Sequence, residues 1–239
     1  MPKKKSKAII GIFCIVVLIL ILCFTLSGIW WYFKIKMEIQ ILDDPVLELP
    51  VSDAISYDTD SYSFGSLTFT AESGMNNTKS ENIFAGENYK ITISIMDSEN
   101  APFPFIYSIE DMTGSEIETF SKYTDKPVFS PYDLRYFQYH LSMNDFRLQS
   151  NFYAHKFYML AKKRDYLCNY LMVDIYDVMG NGCHGFLYLS KYQPSALKPT
   201  ICVFSETDPY TVYWIFLSSD EDEIDVQRIY NIAGSVTVA

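Results

Sequence analysis

Cys183 and His184 stand side by side between Gly182 and Gly185, and a thiol activated by an imidazole is a nucleophile. Asp174 or Asp177 is placed to orient the ring. Strand geometry works against the pair, because neighbouring residues of a strand point to opposite faces. The two form a dyad only if the turn at 182–185 bends them together; otherwise His140 or His155 would have to serve Cys183 from elsewhere in the chain. The preferred reading is a structural turn, with Cys183 and His184 as catalytic candidates behind it. Metal chemistry has less to build on. The three histidines, at 140, 155 and 184, form no i, i+4 pair and no HExxH. Asp220, Asp222 and Asp225 offer oxygen ligands suited to calcium, but the stretch lacks the glycine and distal glutamate of an EF-hand loop. Its acids also suit a helix start. No Gly-rich phosphate loop, GxSxG elbow or kinase signature is present. No cofactor is expected.

Aromatic residues are the most unusual feature of the composition. Beyond residue 36 the chain holds 18 Tyr, 14 Phe and the single Trp214. Exposed tyrosines anchor partners at low entropy cost, whereas the bland alternative is a core of Phe and Tyr with hydroxyls reaching the surface.

The chain before this region sets where that chemistry happens. Ala8 to Phe33 is a run of 26 residues without a charge, and 14 of the 20 residues from Ala8 to Ser27 are Ile, Leu, Val or Phe. As a helix the run is about 39 Å long, against a hydrocarbon core of about 30 Å. Trp30, Trp31 and Tyr32 come where an interfacial aromatic belt sits. A transmembrane helix over 8–33 is expected. A cleaved signal peptide has a shorter apolar region and a small-x-small site, and Thr25-Leu26-Ser27 is a poor one. Lysines 3, 4, 5 and 7 precede the span and only Lys34 and Lys36 come closely after it. That bias places residues 1–7 in the cytoplasm as a basic tail, with the rest outside the cell membrane.

Residues 37–239 hold 13 of the 19 basic residues and all 29 acidic ones, a formal charge of −16. Such a balance argues against nucleic acid and against an anionic lipid surface. Three cysteines outside the span, Cys168, Cys183 and Cys202, are too few for a disulfide scaffold. In an oxidising compartment a pair involving Cys183 is favoured, because its Gly-rich turn lets it reach. Asn76-Asn77-Thr78 is a glycosylation sequon, meaningful only in a eukaryotic secretory route.

Residues 34–63 read as an acidic stalk or linker, with Pro45 and Pro50 as breakers; the alternative is a strand that packs on the domain. Residues 64–239 are long enough for one domain. Alternating β-branched runs predict strands at 67–70 and 89–95, joined by a turn-rich loop, with an edge strand at 103–109. Helices are predicted at 114–122, 143–164 and 165–179, the last with a rival strand through Leu171, Val173 and Ile175. Further strands are predicted at 186–190, 200–205 and 211–217, the last two joined by a hairpin loop at 206–210. Ser219 is expected to cap a final helix with its stripe at Val226, Ile229, Tyr230 and Ala233, before a short strand at 235–238. The sum is an α+β domain, an antiparallel sheet covered on one face by helices. Over residues 64–96 and 200–238 this order of elements is similar to domains of the PsbP/Mog1-like type. That likeness implies a fold and no activity.

Beside a subunit whose only role is to complete a membrane complex, two functional classes remain. One is a non-catalytic extracytoplasmic module, held in the bilayer by its helix, that binds or scaffolds a protein or envelope component. The other is a membrane-tethered hydrolase or thiol enzyme using Cys183 with a distant histidine.

Overall fold

The structure, a computed structural model, describes residues 3–43, 46–50, 57–78, 82–97, 131–140, 168, 172–192, 198–208, 211–219 and 224–239. The expectations for a strand at 103–109 and helices at 114–122 and 143–164 lie outside these residues.

The first element is the helix α1 (Lys3–Asp43), 41 residues and so about 62 Å long. Within it Ile12–Ile29 has a mean hydropathy of 3.0, so by length and composition the helix is able to cross a membrane. It does not stop at Phe33. The helix runs ten residues further, into the stretch read as stalk.

The rest of that stretch also differs from an extended linker. β1 (Leu47–Glu48) and β2 (Thr59–Phe64) are strands of the domain's own sheets. Leu47, Leu49, Tyr62 and Phe64 explain why: each is apolar and partly buried against the core, which holds the chain down despite its acids. The packed-strand alternative describes both segments. β2 turns through Gly65 and Ser66 into β3 (Leu67–Glu72), with Gly65 at φ +61° as a two-residue hairpin requires. The turn-rich loop after β3 contains two short strands, β4 (Asn76–Asn77) and β5 (Ile83–Ala85), before β6 (Tyr89–Asp97). The residues after β6 next described form the helix α2 (Pro131–Tyr139), an element outside the expected set.

Residues 173–180, placed in a helix with a strand as rival, are the strand β7 (Val173–Gly180), paired with β8 (Cys183–Ser190). Asn181-Gly182 makes the hairpin turn, with Gly182 at φ +71°. The turn is pressed onto the chain's end: a Cβ on Gly180 would lie 2.1 Å from the Val236 carbonyl oxygen. β9 (Thr200–Ser205) and β10 (Thr211–Ser219) form the expected hairpin. In its loop the Asp208 carboxylate accepts from the Thr211 hydroxyl at 2.6 Å.

The last helix, α3 (Val226–Gly234), is capped by Asp225, which accepts from the Gln227 amide at 3.1 Å. The expected cap, Ser219, instead ends β10, because Ser218 and Ser219 still pair with Lys90 and Tyr89. The expected stripe is met only in part: Ile229 and Ala233 are buried and joined by Ile232, while Val226 is exposed. β11 (Thr237–Val238) closes a three-stranded sheet in the order β11-β3-β2.

The main sheet has eight strands in the order β1-β7-β8-β9-β10-β6-β5-β4. It is mixed rather than antiparallel, since β1 runs parallel to β7. Nor do helices cover one face only. Leu187, Leu189, Ile201, Val203, Tyr213, Ile215 and Leu217 belong to a core shared with α3 and the three-stranded sheet. The alternate residues Phe186, Tyr188, Cys202, Phe204, Val212 and Trp214 belong to a second core with Tyr139 of α2. Burial on both faces stems from the strands themselves, which are apolar at nearly every position.

Candidate functional site

Strand alternation decides the fate of the first candidate pair. Cys183 opens β8 facing the α3 core, with no exposed surface, and its thiol donates to the Val236 carbonyl oxygen at 3.7 Å. Burial, reinforced by the Glu206 carboxylate, pushes the thiol up to about 11. His184 points to the α2 side. Its Nε2 lies 2.7 Å from Glu206 Oε1, and its ring stacks on Tyr132 at 5.3 Å. The two adjacent residues are therefore divided by the sheet and form no dyad.

The aspartates expected to orient the His184 ring serve other groups. Asp177 holds His140, whose Nε2 sits 2.7 Å from Asp177 Oδ2, and Asp174 lies 3.5 Å from Lys191 Nζ. The other nitrogen of His140 is 3.0 Å from the Tyr136 carbonyl oxygen. Tyr136 stacks on that ring at 3.9 Å, and Tyr132 lies 5.8 Å from Tyr136. Tyr132, Tyr136 and His140 recur every four residues, so one turn of helix brings each beside the next. α2 thus lays a Tyr–Tyr–His ladder over β7 and β8, ringed by Asp177, His184 and Glu206. Burial, with the Asp177 carboxylate nearby, raises the Tyr132 hydroxyl well above the ordinary phenol range.

Beneath the ladder is a buried cation. Arg135 is only 4% exposed, and its Nη1 lies 3.4 Å from Cys202 Sγ. Its guanidinium sits over the rings of Phe204 and Trp214, at 5.3 and 5.6 Å. Burial pushes the Cys202 thiol up to about 12 even with this cation beside it. The hydroxyls of Tyr139 and Tyr188 meet at 3.1 Å in the same layer.

The expected disulfide involving Cys183 is absent. Cys168, Cys183 and Cys202 are buried thiols outside any disulfide, and Cys168 and Cys202 lie in the α2 core while Cys183 lies in the other. Asp225 spends its carboxylate on the α3 cap, and Asp220, Asp222 and His155 lie outside the described residues. Among the described residues, no group of three or more His, Cys, Asp and Glu is arranged to hold a metal ion. No hydroxyl or thiol of a described residue is hydrogen-bonded to either imidazole. On α1, Trp31 and Tyr32 are about half exposed. The site that does form, around α2, was signalled in the sequence only by the spacing 132, 136, 140; nothing marked Asp177 or Glu206 as its neighbours.

Comparison with protein families, with curated proteins and with solved structures finds no match to this chain.

Proposed function

We propose that this chain is a single-pass membrane protein whose α1 holds a non-catalytic domain on the extracytoplasmic side, where that domain binds or scaffolds a protein or envelope component. The anchor rests on Ile12–Ile29 and on Trp30, Trp31 and Tyr32 at its end, where aromatic residues favour the interface. The orientation rests on the lysines at 3, 4, 5 and 7. Protease added to intact cells is expected to digest residues beyond Asp43; protection of the domain would reverse the orientation.

The binding role rests on one observation above the rest. Cys183 and His184 are separated by the sheet, whereas the α2 ladder stays partly open, with Tyr136 38% exposed and carboxylates at its margin. A tyrosine rim backed by acids suits a cationic protein surface, since Tyr offers rigid area and the acidic domain steers the approach. A photo-crosslinker at position 136 is expected to trap a defined partner, and Tyr132→Ser is expected to abolish the adduct. Adducts equal to those from a crosslinker at Lys198 would sink the assignment of this rim. As a proposal of fold alone, the closing β9–β10, α3 and β11 support the likeness to PsbP/Mog1-like domains, whereas the opening strands at 67–70 and 89–95, β3 and β6, belong to different sheets.

A further inference from the structure

The strand that follows the membrane helix and the α2 ladder meet on the same strand, β7. α1 ends at Asp43 and β1 begins at Leu47, so the Cα atoms of those two residues are at most about 14 Å apart. The chain leaving the helix is at once tied into the domain. Val46 packs on the α2 core, against which Tyr132 also packs. Leu47 and Leu49 pack on the opposite core, where a Cβ on Gly234 at the end of α3 would meet Leu49 Cδ2 at 3.4 Å. The strand β1 itself is two residues long and lies parallel to β7, with Leu47 beside Tyr176 and Glu48 beside Asp177. Asp177 is the junction. Its backbone is in register with the strand that leaves the helix, and its carboxylate is the one that holds His140.

We propose that β1 and β7 couple the membrane helix to α2, so that a displacement at the helix exit loosens the docking of α2 and its aromatic ladder. The chain of contacts is short: Leu47–Glu48 on Tyr176–Asp177, then Asp177 on His140, with Val46 and Tyr132 packed against one core. β1 is an edge strand paired through two residues, and it is the first strand after the helix. Coupling free energies are reciprocal, so a partner that tightens α2 also tightens the exit of α1. The domain then works as an attachment that reports on its anchor, not as a head on a loose tether. The membrane part of the proposal rests on the anchor reading; the coupling between β1 and α2 does not.

The test uses the full chain in lipid nanodiscs and reads amide hydrogen exchange. Leu47→Ala and His140→Gln are each expected to speed exchange of the α2 amides about fivefold, a change in the range usual for coupled sites. The double variant is expected to exceed the larger single effect by less than about twofold, because both break the same connection. Amides of β9 and β10 are expected to keep their wild-type rates. The proposal is overturned if Leu47→Ala leaves α2 unchanged, if the two effects multiply, or if β9 and β10 accelerate by the same factor. Should Leu47→Ala not fold, Leu47→Val carries the same test. Flotation with liposomes decides the anchor separately: a chain that stays at the bottom while the coupling persists loses the membrane reading and keeps this one.

Discussion

The two faces of the eight-stranded sheet are built from the same strands to opposite ends. On the α3 side, β8 to β10 contribute Leu187, Leu189, Ile201, Val203, Ile215 and Leu217, and the Cys183 thiol sealed among them. On the α2 side the same strands contribute Phe186, Tyr188, Phe204 and Trp214, and their cover brings Arg135, Tyr139 and His140. One face takes mainly aliphatic side chains from these strands, with Tyr213 among them, and is closed. The other mixes aromatic rings with a buried cation and two imidazole–carboxylate contacts, and its margin is open. Polar groups in a core cost free energy unless partnered, so their concentration on one face sets it apart energetically from the other.

The contrast breaks first at its aliphatic side. Leu187→Ala is expected to lower unfolding free energy by about 2–5 kcal/mol in urea titration, because the rigid sheet around it collapses poorly. A loss below about 1 kcal/mol would mean that the α3 face is looser than its burial indicates. The thiols provide the next test, one on each face. Cys183 is raised to about 11 and Cys202 to about 12, both chiefly by burial. The ordinary value for a thiol is 9.0, so above that pH the unfolded chain releases a proton that the folded chain keeps. Stability is therefore full below about pH 9 and falls as pH rises towards 11, by about 1.4 kcal/mol per unit for each thiol. Cys183→Ala is expected to flatten half of that fall and to leave the part due to Cys202. A slope unchanged by this substitution would count against the burial of Cys183.

Smaller effects sharpen the comparison. Asp225→Ala removes the α3 cap and is expected to cost about 1 kcal/mol, read as a shift of the thermal midpoint. His184→Gln on the open margin is expected to cost less than about 1 kcal/mol, since its partner Glu206 is itself well exposed. A loss as large as that of Leu187→Ala would make the α2 margin structural and remove the distinction between the faces.

Where the expectations went astray, the reason is burial on two sides. The run from Val173 to Val178 is apolar at most positions, so it carries neither a clear period of 2 nor one of 3.6, and a helix up to Gly180 reads as well as a strand. The deciding signal is Asn181-Gly182, the pair that favours a tight hairpin. Thr200–Ser205 and Thr211–Ser219 are legible because a polar loop separates two β-branched runs. The cap of α3 is easily misplaced because Ser219 and Asp225 both satisfy the rule for N-caps, and only pairing with β6 shows where β10 ends. The acidic stretch at 34–63 misleads through its charge, although Leu47, Leu49 and Tyr62 within it, with Phe64 just after, pack its described strands on the core.

By itself the amino-acid order determined the long apolar helix, the acidic balance of the chain beyond it and the closing hairpin, helix and strand, since each is a matter of local composition or spacing. Only the tertiary structure decided which side of a strand each reactive group occupies and which distant residue it meets. Cys183 and His184 are neighbours in the chain and separated by the sheet. His140 and Asp177 are 37 residues apart and 2.7 Å from one another. Alternation along a strand divides what the chain joins, and the packing of α2 on β7 joins what the chain divides.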